Sequence, residues 1–584
     1  MAHLIDLGAA FAAAAMWATV PQAGPWPLML VLIGQIARAI GAPERARGTA
    51  LDAPLALFLV SGVLGAVISF DAAAASQRLW YLVGGLALYD AVAHSPEAVR
   101  IGRREVAVWP WLLTILPALI GLYSATTTRW EMWNGKWPWL NPARALLSDQ
   151  SWLTETYQLH PTVAGGIIAV FLPIQWAQFR SPRTSRIGRV LAAAAILISL
   201  MALALTATRG AWIALSIVMG LALAASTLRW SKRRRSSGSP RQLPVGSTIA
   251  LGAIVMAISL PVDLLRWIPE SLAGRPIIWQ QSLDLISDYP LTGVGLGGFE
   301  MAYSTYVLLV HVGFLSHAHN ILLNIWLNQG VLGVIALIWA VWLAWRAARG
   351  NDSGRWAKAG LAALAILLLH GTFDDALYGY DGRGSVLLFV PMALTVQAFA
   401  ERRQSSSEGY RVPWSLLAGI VLVGLLLLPA TRSRWQSNLA AVVQTRVELS
   451  SYRWPEWPIQ DALRRSERER LAVVMARYQA ALALDQANAS ANRRLGQIEL
   501  SLGEYEAARR HLEAAYREAP YQRATRQLLG ESYAVTGDVE LAAQLWEGLD
   551  LSQDQIRLRE WWYREIGEPE RAEQLMRALA LLEP

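Results

Sequence analysis

Residues 319–345 read HNILLNIWLNQGVLGVIALIWAVWLAW and contain no aspartate, glutamate, lysine or arginine. A helix crosses the hydrocarbon core of a bilayer with about 20 apolar residues, so this stretch is long enough to span a membrane. Twelve other stretches are predominantly apolar, near residues 4–20, 25–41, 51–70, 77–95, 106–123, 162–178, 187–207, 210–228, 245–261, 357–371, 384–400 and 413–430. We therefore predict an all-α fold whose membrane part is a polytopic transmembrane helical bundle of about 12 to 13 spans.

The composition separates this membrane part from a soluble part. Of the 584 residues, 54% are hydrophobic and 16% are charged, whereas soluble domains carry about 25% charged residues. The deficit lies before residue 430, and the later sequence is charged and rich in alanine and leucine. We predict a transmembrane domain at 1–430, a linker at 431–470 and a soluble α-helical domain at 471–584. The absence of cysteine excludes disulfides, thiolate nucleophiles and cysteine metal ligands.

Basic residues predict how the spans are oriented. They recur in alternate loops, as at Arg45 and in the run from Lys232 to Arg235, and basic loops of membrane proteins face the cytoplasm. The other loops, 124–160, 262–318 and 371–383, then face outward together with the soluble domain. The formal charge of +8 reflects these topology signals, so we expect membrane lipids and no nucleic acid as partners.

The soluble domain carries an internal repeat. Leu495-Gly496 recurs as Leu529-Gly530, an offset of 34 residues, which is the tetratricopeptide period. Helical repeats of this kind form a concave surface that binds peptides or partner proteins. Two interpretations stay open: the repeat binds a protein partner, or it only braces the membrane domain.

The outward loop 262–318 and its boundary hold candidate chemical groups. His317 and His319 lie where the loop meets a span, and histidine can act as a general base near neutral pH. Two alternatives are a zinc site and a histidine that only satisfies a helix end. The glycine-rich stretch 293–298 has a spacing similar to a nucleotide-binding loop, but no strand precedes it. We interpret it as a tight turn in which the backbone approaches another segment.

Two arginines suit a phosphorylated ligand. Arg209 lies between two spans at the outer boundary of the membrane, where a charge is costly unless it pairs or acts. Snorkelling of its side chain to the interface is the alternative. Arg275 lies in the outward loop. If both point into an outward cavity, their planar guanidinium groups can bind a diphosphate and stabilise the charge that develops when it leaves.

These residues fall in motifs that resemble the O-antigen ligase and O-antigen polymerase family of membrane glycan transferases. The motifs are TRGAW at 208–212, GRPIIW at 274–279, YPLTGVG at 289–295, HNILL at 319–323, HPTVAGG at 160–166 and HGTFDD at 370–375 with Tyr378. The resemblance covers roughly residues 50–430 in the order of the family, and family members with a tetratricopeptide tail occur. Thr162 replaces the asparagine usual in its motif, which leaves the role of that position open.

The resemblance implies a metal-independent glycosyltransferase without a cofactor, in a bacterial cytoplasmic membrane. Its donor would be a glycan on a polyprenyl (undecaprenyl) diphosphate, transferred with inversion to an acceptor hydroxyl at the outer face. Arg209 and Arg275 would bind the diphosphate, and His319, or else His317, would take the acceptor proton. The resemblance implies six substrate-binding residues in all, which are Arg209, Arg275, His317, Asp374, Asp375 and Tyr378.

The sequence leaves the acceptor open. Lipid A core in lipopolysaccharide, a second lipid-linked glycan in polysaccharide polymerisation and a protein hydroxyl in O-oligosaccharide transfer all use the same donor chemistry. A transporter of lipid-linked sugars is a different alternative, which predicts charges along a path through the membrane and broken helices in two similar halves. A non-catalytic assembly scaffold is another, but it leaves Arg209, Arg275 and His319 unexplained.

Overall fold

The structure is a computed structural model. It describes all residues except 21, 44–47, 102–103, 129–136, 149–158, 238–273, 308, 310–314, 350–353, 403–427, 450–458, 550–552 and 583–584. In the described residues the chain forms α-helices joined by short loops, together with two 3-10 helices and one two-stranded hairpin. Apart from that hairpin, the all-α expectation is confirmed.

The membrane part contains fourteen α-helices in the described residues. They are α1 Ala2–Thr19, α2 Leu28–Gly41, α3 Asp52–Ile68, α4 Ala72–His94, α5 Val108–Thr127, α6 Asn141–Ser148, α7 Pro161–Phe179, α8 Arg186–Thr206, α9 Arg209–Ser237, α10 Arg275–Asp288, α11 Phe299–Val307, α12 Ile321–Ala348, α13 Arg355–Gly371 and α14 Val390–Arg402. The antiparallel strands β1 Val99–Ile101 and β2 Arg104–Val106 lie between α4 and α5, and the 3-10 helices are Pro138–Leu140 and Arg383–Leu387.

The predicted polytopic arrangement is confirmed. In the described residues, six helices are long and apolar enough to cross a membrane: α1, α5, α7, α8, the segment Arg209–Thr227 of α9, and α12. Helices also lie over five further expected spans, although these helices are shorter or less apolar. The expected span at 245–261 lies outside the described residues, as does 413–430 up to residue 427.

Helix α7 forms the centre of the bundle. It buries all of its residues except Trp176 and Phe179, because α5, α8, α9 and α13 pack around it. A helix that is apolar on every side is buried on every side. The start of α7 lies beside the end of α13, since Gly166 faces His370 and Ala376, so the loops before α7 and after α13 come together.

The glycine-rich stretch 293–298 is a tight turn, as the sequence predicts. Gly295 has a φ of 96°, and a Cβ there would lie 2.6 Å from the Cα of Ser69, so both its backbone angle and its surroundings require glycine. The neighbouring backbone pairs with other segments: Val294 N–H donates to Leu327 O at 2.6 Å, and Leu296 N–H donates to Gly65 O at 3.0 Å. The turn therefore anchors the segment between α10 and α11 to α3 and α12.

The C-terminal part consists of nine α-helices in the described residues. They are α15 Pro429–Leu449, α16 Gln460–Ser466, α17 Arg468–Leu484, α18 Ala489–Leu502, α19 Tyr505–Glu518, α20 Arg523–Thr536, α21 Val539–Trp546, α22 Gln553–Glu565 and α23 Pro569–Ala580. The pairs α18–α19 and α20–α21 start 34 residues apart. Gly496 and Gly530 occupy matching positions, packed against Leu512 and Trp546. Helical pairs thus recur with the expected period, and their assignment to the tetratricopeptide family stays a prediction.

The linker expected at 431–470 differs from the structure. Helix α15 fills its first half and packs against α17, and α16 lies near its end. The sequence obscured α15 because several residues on its buried face are polar, including Ser433, Asn438 and Gln444. These side chains are buried with hydrogen-bond partners, such as Tyr478 for Gln444, so the usual apolar stripe is weak.

Candidate active site

The carboxylate of Asp374 lies at the centre of the candidate site. Its Oδ1 atom lies 3.2 Å from His319 Nδ1 and 3.3 Å from His317 Nε2, and its Oδ2 atom lies 3.9 Å from Arg275 Nη2. Burial alone would raise the pKa of Asp374, but hydrogen bonds from both histidines hold that pKa well below its usual range. Asp374 is therefore an anion that gathers three of the residues named from the sequence.

His317 is enclosed on both sides of its ring. Its Nδ1 atom lies 2.9 Å from Ser316 Oγ and its Nε2 atom faces Asp374, so both nitrogens have partners. The ring centroid lies 4.1 Å from that of Tyr380. Burial lowers the pKa of His317, despite the hydrogen bond to Asp374 that favours its charged form. His317 is thus a buried, neutral element of the site.

His319 occupies a more open position than His317. Its side chain is 22% exposed, compared with 4% for His317, and only its Nδ1 atom contacts Asp374. Its Nε2 atom has no hydrogen-bond partner within the described part of the chain. His319 has a φ of 50°, a left-handed conformation that is uncommon outside glycine and often found at functional sites.

The residues after His319 hold this conformation in place. Asn320 caps α12 by accepting hydrogen bonds from the N–H groups of Leu322 and Leu323. Asn324, one turn into the helix, accepts from Ala318 N–H at 2.7 Å. The start of α12 therefore fixes the chain on both sides of His319.

Arg275 is the first residue of α10. Its guanidinium donates to the backbone oxygen of Phe373 and lies close to Asp374. Pro276 follows at a position where its missing N–H costs no helical hydrogen bond. The start of α10 is thereby attached to the loop that follows α13.

Arg209 begins α9 close to the same loop. The next residue, Gly210, faces His370 and Phe373: a Cβ there would lie 3.0 Å from His370 Cδ2 and 3.8 Å from Phe373 Cβ. Because Arg275 binds the Phe373 oxygen, the segments that carry both arginines meet at Phe373. Arg209 is partly buried there and interacts with neighbouring groups.

Asp375 and Tyr378 point away from this cluster, into the helical core. Asp375 accepts from Asn324 Nδ2 at 2.7 Å and from Tyr378 N–H at 3.0 Å. The Tyr378 hydroxyl accepts from Gln329 Nε2 at 2.7 Å. Burial raises the pKa of Asp375 to about 6. The structure therefore brings Asp374 into contact with His317 and His319, whereas Asp375 and Tyr378 lie in the helical core.

Three residues without a predicted role also lie in this region: Tyr380, Arg78 and Arg144. The ring of Tyr380 lies tilted against those of His317 and His160, at centroid distances of 4.1 Å and 4.7 Å. Arg78 of α4 donates to the backbone oxygen of Tyr380. Arg144 of α6 is fully buried and donates to Leu205 O at 2.9 Å, four residues before Arg209. An arginine in a loop predicted to face outward was the available signal for Arg144, as it was for Arg209. Local sequence gave no comparable signal for Tyr380.

The cluster also has the composition of a metal site. His317, His319 and Asp374 offer ligand atoms that all lie within 4.8 Å of one another, and such a set can ligate zinc. The guanidinium of Arg275 beside Asp374 opposes a second cation there through charge repulsion. The expectation of a metal-independent site stays a prediction.

The fold and this cluster define a multi-pass membrane protein with arginine, histidine and aspartate gathered at helix ends. Residues 194–338 match the family model described as O-Antigen ligase. The match covers Arg209, Arg275, His317 and His319, and it supports the O-antigen ligase family that the motifs predict. The helical repeat and Asp374 lie outside the matched residues. No curated protein matches the chain.

Proposed function

We propose that this protein transfers a glycan from a polyprenyl diphosphate, such as undecaprenyl diphosphate, to an acceptor hydroxyl at the outer face of a bacterial cytoplasmic membrane. The observation that carries the proposal is that one carboxylate, Asp374, contacts both His319, the candidate base, and Arg275, a candidate binding residue for the diphosphate. The O-antigen ligase match supports this class of reaction. Within it, ligation and polymerisation share the site.

The proposed base is His319. A proton on Nδ1, directed at Asp374, leaves the lone pair on Nε2, where it can accept the proton of the acceptor hydroxyl. The anionic carboxylate also stabilises the imidazolium that forms, as in other carboxylate–histidine pairs. His317 fits this role less well, because both of its nitrogens are occupied and its ring is buried.

Arg275 and Arg209 are the residues proposed to bind the diphosphate. As the acceptor oxygen bonds to the anomeric carbon from one side, the bond to the diphosphate oxygen breaks on the other. Its electron pair leaves with the diphosphate, and inversion follows from this single displacement. Two guanidinium groups stabilise the additional negative charge, and this stabilisation increases towards the transition state. Under this assignment the protein supplies the charge that a metal ion supplies elsewhere.

The proposal is tested by glycan transfer in proteoliposomes that contain a polyprenyl-diphosphate-linked glycan and one acceptor type at a time. The acceptors are lipid A core, a second lipid-linked glycan and a hydroxyl-bearing protein. We expect Arg275→Ala and His319→Ala each to reduce transfer strongly, by at least about 100-fold for His319→Ala, with whichever acceptor wild type uses. The controls are Arg468→Ala and His511→Ala, which remove the same residue types from ion pairs in the C-terminal part.

Unchanged transfer in both site variants would refute the proposed mechanism. Movement of the donor across the bilayer, without transfer to any acceptor, would favour a transporter instead. The use of three acceptors separates the ligase, polymerase and protein-transferase alternatives, because each predicts product with a different one.

A further inference from the structure

The helix that carries Arg275 is anchored at its other end by the C-terminal part of the chain. Asp288, the last residue of α10, is 1% exposed. It accepts hydrogen bonds from Arg494 Nε at 2.8 Å and from the guanidinium of Arg493, and both arginines belong to α18. A buried carboxylate between two guanidinium groups forms charge-assisted hydrogen bonds, which are short and directional. The contact therefore fixes the end of α10 against α18.

The same attachment continues into the loop after α10. The Tyr289 hydroxyl accepts from Arg494 Nη2 at 2.6 Å and lies 2.5 Å from Thr445 Oγ1 of α15. The Asn438 side chain, also in α15, accepts from Leu291 N–H at 2.9 Å and donates to Thr292 Oγ1 at 2.7 Å. Two helices of the C-terminal part thus bind successive residues of this loop.

The opposite side of the loop contacts the helix that follows His319. Trp326 Nε1 of α12 donates to Pro290 O at 2.7 Å, and Leu327 O of the same helix accepts from Val294 N–H. The loop is therefore held between α12, which carries the base at its start, and the pair α15 and α18. The position of this loop therefore links α10, which begins at Arg275, to α12, which begins just after His319.

Helix α10 is packed against the rest of the protein mainly through its C-terminal half. The buried residues are Ser282, Asp284, Leu285, Ile286 and Asp288, all in its C-terminal half, whereas Ile277 in the first turn is 58% exposed. The helix rises about 1.5 Å per residue, so Arg275 and Asp288 are about 20 Å apart. A rigid helix held at one end transmits any change of direction there to the other end.

We propose that Asp288 is a positioning residue, through which Arg493 and Arg494 direct α10 and so place Arg275 at Asp374. The C-terminal part is then an integral component of the transferase rather than a separable module. This inference rests on the proposed function of Arg275.

Because the chain has no cysteine, the direction of α10 can be measured with spin labels. Labels at Ile277→Cys and Leu322→Cys, both on exposed positions, report the distance between the starts of α10 and α12. In the full-length protein we expect Asp288→Asn to broaden this distance distribution and to lower kcat at least about 10-fold, which is about 1.4 kcal/mol in the barrier. The KM for the acceptor should stay unchanged, because the proposed function assigns Arg275 to the donor diphosphate and not to the acceptor.

The matched control is Asp461→Asn. Asp461 is buried like Asp288, but its ion pair is with Arg559 of α22 and it accepts a hydrogen bond from Ser501 at the far end of α18. We expect it to leave both the distance distribution and kcat unchanged. If Asp288→Asn fails to fold, Arg494→Gln replaces it, since Arg493 still binds Asp288 in that variant.

A double-variant cycle separates positioning from general destabilisation. In an Arg275→Lys background, which retains a cation, Asp288→Asn should cause much less than its 10-fold loss, because it acts through the arginine. An equal loss in both backgrounds, or an unchanged distance distribution, would overturn the inference. If Arg275→Lys and Arg275→Ala both transfer like wild type, the proposed role of Arg275 fails, while the spin labels still decide whether the C-terminal part directs α10.

Discussion

The imidazole of His319 contacts the carboxylate of Asp374 through Nδ1, at 3.2 Å from Oδ1, although 55 residues separate them in the chain. Its neighbour His317 contacts the same oxygen through Nε2, and its other nitrogen faces Ser316. The two histidines therefore share one anion but differ in which nitrogen is available. This difference makes their roles experimentally separable.

Replacement of each histidine by alanine should have unequal effects. Loss of a general base typically costs about 10²–10⁴ in rate, so we expect His319→Ala to reduce kcat by at least about 100-fold. His317→Ala should reduce kcat less and should lower thermal stability, because it opens a cavity beneath Tyr380. Initial transfer rates and melting temperatures of the two purified variants test this. A larger kinetic loss in His317→Ala would reverse the assignment of the base.

Replacement of Asp374 by asparagine should show how much the negative charge of this side chain contributes to the transfer rate. Asparagine preserves the size of the side chain but removes the anion that orients His319 and stabilises its charged form. We expect kcat to fall by about 100-fold, with a smaller change in donor KM, since orienting carboxylates act mainly in the transition state. Asp381→Asn, at an exposed aspartate of the same loop, serves as the control. Equal rates for Asp374→Asn and wild type would contradict the proposed pair.

Asp375 should give the protein a specific dependence of stability on pH. Its pKa is about 6 in the folded protein, against 3.8 for the ordinary group, so between these values the folded state holds a proton that the unfolded chain has lost. Its contribution to stability is therefore present at low pH and decreases as the pH rises towards 6. The pKa of Asp374 is held well below 3.8, so the pH range in which this residue changes the stability of the protein is more acidic than that of Asp375.

We expect the melting temperature of wild type, relative to Asp375→Asn, to decrease between pH 4.5 and pH 7. Thermal unfolding in detergent across this range measures the difference. An increase over the same interval would show that burial does not raise this pKa.

Metal chelation tests the nature of the cluster directly. If Arg209 and Arg275 supply the charge that stabilises the leaving diphosphate, transfer should continue at the same rate after dialysis against EDTA. If His317, His319 and Asp374 instead hold a catalytic cation, chelation should abolish transfer and zinc should restore it. The transfer rate and the metal content of the dialysed protein, measured together, distinguish these outcomes.

The sequence by itself determined the features that depend on local composition and period. Apolar length predicts spans because a helix must satisfy its own backbone hydrogen bonds in the bilayer. The 34-residue offset predicts paired helices, and the glycines at 293–298 predict a turn that approaches other backbone. Arg209 was recognised because a charge at a membrane boundary is costly without a role. Arg275 was recognised as a second guanidinium that suits a diphosphate, and the histidine pair because histidine can act as a base near neutral pH.

Only the tertiary structure decided how these groups are combined. It brought Asp374 to the histidines, turned Tyr378 into the core and placed Tyr380 beside His317. It also converted part of the expected linker into α15, whose buried polar residues pair with partners far along the chain. Such pairings depend on which helices pack together across long separations. No local pattern encodes that choice, because a polar residue is equally compatible with solvent and with a buried hydrogen-bond partner.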